Sequence, residues 1–127
     1  MTIKGIAGFK SDQDMSGDNL NFVVHSGQDY RVINTVDVYG NSEENRKLGI
    51  LHGGVKTGAP VDLAVSGSVS KVIAHTDFPA GRPLRLAPNG GVQQHTSGQL
   101  CIGISLEESV GQGHIVNMLV YSPHRLD

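Results

Sequence analysis

Six histidines, His25, His52, His75, His95, His114 and His124, are the residues most able to do chemistry in this chain, as metal ligands or as acid–base groups. A zinc site needs three or four converging ligands, and a helical HExxH pair presents two of them one turn apart. None of the six has that spacing, and only His75 with Asp77 lies close enough along the chain to share a local site. These residues are therefore expected at turns and on the surface, without a bound metal. His52-Gly53-Gly54 resembles the opening of an oxyanion-hole segment, but such a segment serves a Gly-x-Ser-x-Gly elbow on an α/β sheet, and the chain has no such elbow.

Cys101, the single cysteine, has no neighbouring base in sequence to raise its thiolate fraction, and it can form no intramolecular disulfide. Gly90-Gly91 and Gly111-Gln112-Gly113 lack the Gly-Lys-Ser/Thr ending of a phosphate loop and read as turns between strands. Glu107-Glu108 offers two carboxylates for proton transfer, yet adjacent carboxylates on an irregular loop read more simply as a solvated face. The expectation is a protein with no catalytic residues, no cofactor and no metal.

The elements that carry these residues are strands. Val61, Leu63 and Val65 alternate with Asp62 and Ala64, and side chains on a strand point to opposite faces with a period of two. Ser66-Gly67-Ser68 then supplies turn chemistry before Val69, Val72 and Ile73, which predicts a hairpin. Leu84 and Leu86 alternate around Arg85, Pro88-Asn89-Gly90-Gly91 can take the positive φ of a tight reversal, and Val92 to His95 runs back. Leu100, Ile102, Ile104 and Leu106 alternate, with Cys101 out of phase and directed at the opposite face of the sheet or at a subunit interface. Val116, Met118 and Val120 alternate after a glycine loop; both runs predict core strands. Upstream, Leu20, Phe22 and Val24, a turn at His25 to Gln28, and a β-branched stretch from Tyr30 to Tyr39 predict a first hairpin. One short helix is allowed at Asn41, which can cap a turn while Glu44 reaches back. Residues 1–18 are polar and glycine-interrupted and read as an extended N-terminal arm, leaving residues 19–127 as a single β domain.

Composition agrees. With 127 residues, 38% of them apolar, there is material for one modest core, and 17 glycines spread along a Val-, Ser- and Thr-rich chain suit short strands and tight turns. The net charge of −2 comes from 10 basic and 12 acidic side chains that are well mixed, which disfavours nucleic acid and anionic membrane as partners. The first nine residues never reach the apolar run of a signal peptide or membrane span, so synthesis in the cytoplasm is expected.

An internal duplication underlies the pattern. Leu48-Gly49-Ile50 matches Ile102-Gly103-Ile104, and Val55, Gly58, Val61, Leu63 and Val65 match Val110, Gly113, Val116, Met118 and Val120 with one inserted residue. The alternative is chance recurrence of apolar-Gly-apolar in a Gly- and Val-rich chain. Two such units packed face to face would bury both apolar faces in one small barrel or sandwich.

Gly58-Ala59-Pro60-Val61-Asp62-Leu63-Ala64-Val65-Ser66-Gly67, then Ala80-Gly81-Arg82-Pro83-Leu84, Gly90-Gly91-Val92 and Ile102-Gly103-Ile104-Ser105-Leu106-Glu107, resemble in order and spacing the small capsid decoration (cement, head-stabilising) proteins of tailed bacteriophages. The resemblance spans about residues 48–121. Residues 1–45 are longer and more polar than that family's usual beginning, and the loop Glu107 to Gly113 is more acidic than its alanine-rich counterpart. The resemblance implies an all-β module, a small barrel or sandwich of short antiparallel strands, without cofactor or chemistry. It further implies a homo-oligomer, a trimer by preference, bound to the major capsid protein on the outer surface of the virion after synthesis in the bacterial host. Contacts with capsid or with other copies are expected from Lys4, Phe9 and Lys10 on the arm and from Arg82, Arg85, Glu107, Glu108 and Gln112 on loops. The alternatives are another virion β-module, a head fibre base or tail-associated piece, and a carbohydrate-binding β-sandwich. The last would ordinarily show an aromatic platform, and the chain has no Trp, three Tyr and three Phe.

Overall fold

A computed structural model describes residues 8–40, 46–96 and 99–126. These residues are all β, with no α-helix among them: β1 (Lys10–Ser11), β2 (Phe22–His25), β3 (Arg31–Asn34), β4 (Lys47–Leu51), β5 (Leu63–Ala64), β6 (Val69–Ile73), β7 (Pro83–Leu86), β8 (Val92–Gln94), β9 (Gln99–Ser105) and β10 (Ile115–Leu126). The helix expected at Asn41 and Glu44 lies outside the described residues.

The strands form two five-stranded sheets, β1-β3-β2-β4-β5 and β6-β10-β9-β7-β8. Each sheet curls until its edges meet. In the first, Lys10 bridges Pro60 just before β5, and the amides of Ser11 and Val61 donate to the carbonyls of Ala59 and Phe9. In the second, Ala74 bridges Val92, and His75 N–H donates to the Val92 carbonyl at 2.7 Å. Closure pairs backbone groups that an open edge would leave to water or to another chain.

The two sheets are copies of one another, residue by residue. Phe22 pairs with Ile50 as Pro83 does with Ile104, and Val23 with Gly49 as Leu84 does with Gly103. Ile50 pairs with Ala64 and Leu51 with Leu63, as Ile104 does with Leu119 and Ser105 with Met118. The hairpins agree too: Val23, Val24 and His25 face Asn34, Ile33 and Val32 as Leu84, Arg85 and Leu86 face Gln94, Gln93 and Val92. Met15 bridges Val55 as Phe78 bridges Ser109. The duplication read over residues 48–65 and 102–120 is therefore structural, and it starts near Phe9 rather than at Leu48. One pairing shifts: the counterpart of Val55 is Ser109, not Val110, and the inserted residue falls between Ser109 and Gly113.

Two further expectations change. Ser66-Gly67-Ser68 does turn the chain, with Ser68 N–H on the Val65 carbonyl and φ of +91° at Gly67, but β5 and β6 are not partners. The turn passes from one barrel to the other, because β6 finds its ladder on β10 and β5 on β4. The stretch read as an arm to residue 18 is, over its described part, the first strand and wall of the first barrel, with Ser11 and Met15 fully buried. Met15 belongs to the interior of that barrel with Val23, Val32, Leu51, Val61 and Leu63. Alternation could not show this, since β1 is only two residues long.

Packing joins the copies. The interior of the second barrel, including Phe78, Leu84, Val92, Val116 and Met118, is continuous with Phe22, Ile50 and Ala64 from the outer wall of the first. Burial of side chains this size stabilises by roughly 1.5–3 kcal/mol each. Phe22 N–H donates to the Gly90 carbonyl at 2.8 Å, and a Cβ at Gly90 would lie 3.2 Å from Asn21 Cβ, so glycine lets the two barrels touch there.

Candidate functional site

His25, His52 and His114 make hydrogen bonds within the fold. His25 Nδ1 accepts from Gly27 N–H at 3.0 Å and His114 Nδ1 accepts from Val110 N–H at 3.2 Å, each closing a turn. His52 Nε2 sits 2.8 Å from Ser70 Oγ, the one contact with the look of a base and a nucleophile. Ser70 Oγ also lies 3.0 Å from the Lys71 carbonyl, so that carbonyl competes with His52 for the single hydroxyl proton. Ser70 is also only 4% exposed. His75 is half-buried with an unpartnered Nδ1, and Asp77 is exposed. Among the described residues no three His, Cys, Asp or Glu side chains are placed to hold a metal ion.

Cys101 is buried at 1% exposure, and its Sγ–H donates to the Gly103 carbonyl at 3.4 Å. Ile102, and not Cys101, belongs to the interior cluster of the second barrel, and the β9–β10 register shifts between Cys101 and Gly103, so alternation breaks there. Further along β9, Ile104 is half-buried and Leu106 is 46% exposed, so the phase read as core holds at Ile102 and fails beyond it. Both faces of β9 are rich in apolar or small residues, so alternation alone could not orient it.

The expected contact residues fall into three places. Lys4 lies outside the described residues. Phe9 packs on the first barrel's interior and meets the rings of Tyr30 and His25 edge-on at 5.4 and 6.0 Å, while Lys10 sits in β1, so both build the wall. Arg82, Glu107, Glu108 and Gln112 are exposed on the loops flanking β7 and β9, which are tied together by the Phe78–Ser109 bridge and by Ser105 N–H on the Arg82 carbonyl. Glu107 accepts a hydrogen bond from Asn117 Nδ2. Arg85 is half-buried apart from them, its guanidinium 5.7 Å from the Tyr39 ring centroid and donating to Tyr39 Oη at 3.2 Å, where Gln93 also donates. One end of the second barrel therefore carries a mixed-charge rim of one cation and two carboxylates.

Comparison with known proteins bears on the fold. No family model matches the chain, and no curated protein does. Among solved structures it is similar to the N base of head fiber gp8.5 of bacteriophage phi29, with a TM-score of 0.63 over 94% of both chains at 16% identity. At that identity the likeness establishes a shared fold. A full-length match of this kind includes both barrels and the segment between them.

Two kinds of residue escaped the sequence reading. A shallow cleft of about 250 Å³ between the barrels is lined by Phe22, Leu48, Gly49, Val65, Val120 and Tyr121, residues from three strands and the segments beside them, brought together only by the fold. The outer wall of β6, β10, β9 and β7 carries a row of aliphatic side chains, of which alternation had assigned Ile104 to the core. The signal that finds both is the duplication, once the register of each copy is known.

Proposed function

We propose that the protein is a non-catalytic structural module of a tailed-phage virion that binds the major capsid protein on the outer capsid surface and reinforces its lattice. The observation that carries this reading is the likeness, over nearly the whole of both chains, to the base of a phage head fiber. The motif order from Gly58 to Glu107 points the same way. Physical considerations favour binding over turnover. Short strands closed into two barrels have little backbone freedom to lose on docking, and many weak copies on a repeating lattice add up without any strong single contact. The mixed-charge rim of Arg82, Glu107, Glu108 and Gln112 would meet the capsid, and the protein would act as a homo-oligomer, by preference a trimer, with neither cofactor nor metal.

A second reading, the base of a head fibre, is favoured by the same likeness and differs in what the module carries outward. Both are tested by mixing the purified protein with expanded, undecorated capsids and imaging the particles. Density spread over the capsid lattice together with raised particle melting supports the cement reading. Density without stabilisation favours a fibre base, and protein confined to tails or absent from particles refutes both.

A further inference from the structure

The duplication gives every wall of one barrel a counterpart on the other, and one such pair differs in what covers it. On the first barrel, Phe22, Ile50 and Ala64 form a directly paired row across β2, β4 and β5 on the outer face. The row is buried, at 2%, 0% and 0% exposure, because the second barrel lies against it. Its counterpart on the second barrel is Pro83, Ile104 and Leu119, extended by Val69 on β6 through the Leu119 pairing. All four are aliphatic and only half-buried, Leu106 beyond Ile104 is 46% exposed, and Ile115, on the far side of the Asn117–Lys71 pair, is 48% exposed. The outward face of an antiparallel sheet is ordinarily polar, and a contiguous apolar row across four strands marks an interaction surface.

We propose that this wall is an interface with a second copy of the chain, set head to tail so that a first barrel of the neighbour lies where a second barrel lies within the chain. The occupant follows from the cis precedent: the matching wall is already built to receive a barrel of this protein. The first barrel is also the one whose receiving face is unused. In the second barrel that face includes Gly90, which takes Phe22; its counterpart is Tyr30, 63% exposed and edge-on to Phe9. A head-to-tail contact is heterologous, so it builds a ring of three or more where its rotation closes and an open filament where it does not. The inference deepens the oligomer part of the reading above and needs no capsid, so the two can fail separately.

Light scattering on the purified full chain across micromolar to millimolar concentrations tests it, alongside Ile115→Glu and Leu106→Glu. Both positions are exposed enough to leave folding intact, which thermal melting checks. The expected result is an assembly of three or more chains, ring or filament, whose dissociation constant rises about a hundredfold or more when a carboxylate must be desolvated in the contact. Tyr30→Ser, on the opposite face, should weaken the same assembly. A monomer at every concentration, a dimer, or an assembly indifferent to all three substitutions would overturn the proposal.

Discussion

Gly49 and Gly103 provide the sharpest test that the two barrels are copies. A Cβ on Gly49 would lie 2.3 Å from the Ala64 carbonyl oxygen, and one on Gly103 would lie 2.3 Å from the Leu119 carbonyl oxygen and 2.2 Å from Met118 Cε. Met118 can swing away, but the two carbonyls are backbone in paired strands. Ordinary C···O contact lies near 3.4 Å, so each alanine must push its partner strand out by about 1 Å. That displacement breaks one or two ladder hydrogen bonds at roughly 1 kcal/mol each, added to an overpacking cost of 1–3 kcal/mol, or about 3 kcal/mol in all. For a chain of this size the midpoint of thermal unfolding should fall by roughly 10 °C. Gly17→Ala, where nothing stands within 4 Å and φ is not in the left-handed region, serves as control and should be nearly neutral. Urea and thermal unfolding of the three variants decide the matter. If Gly49→Ala costs less than about 1 kcal/mol, or if the two alanines differ widely, the close strand approach shared by the copies is refuted.

The left-handed positions coincide as well: Leu20 (φ 65°) answers Gly81 (77°), and Tyr30 (54°) answers Gly90 (90°). Gly81→Leu should therefore cost about 1–2 kcal/mol, while Leu20→Gly should be far milder because relief of strain offsets the lost side chain; denaturant midpoints check both. Tyr39→Phe removes the oxygen shared by Arg85 and Gln93 and should cost about 1 kcal/mol by the same measurement. The Asp14 carboxyl is held below its ordinary value, first by the Ser16 hydroxyl and then by the Ser16 amide. A depressed carboxylate adds stability above the unfolded value, near pH 4, and loses it as pH falls through the folded value. The stability gap between the wild type and Asp14→Ala should hence be present at neutral pH and close on acidification, which a pH series of unfolding curves reads directly.

Much of the fold is written locally. The β7–β8 reversal is legible because Pro88-Asn89-Gly90-Gly91 has the backbone freedom of a tight turn between alternating strands, and the β2–β3 hairpin is legible for a similar reason. The apolar-Gly-apolar repeat shows because the same two close strand approaches demand glycine at Gly49 and Gly103. The candidate rim is partly legible: Arg82, Glu107, Glu108 and Gln112 are polar and aperiodic, and the fold does set them on adjoining loops. Phe9 and Lys10 were misplaced because a two-residue strand has no period to read, and its pairing with β3 and Pro60 is nonlocal.

The sequence by itself determined the all-β character, most of the turns and the existence of two related halves, since each depends on residue types and their spacing along the chain. Tertiary structure decided the rest: that Ser66-Gly67-Ser68 links two barrels instead of closing a hairpin, that Ile102 packs inside the second barrel, and that Phe22, Ile50 and Ala64 are fully buried while Pro83, Ile104 and Leu119 are only half-buried. The physical reason is that alternation identifies two faces of a strand but not which face meets water. When both are apolar, only the packing of distant segments against them makes the choice.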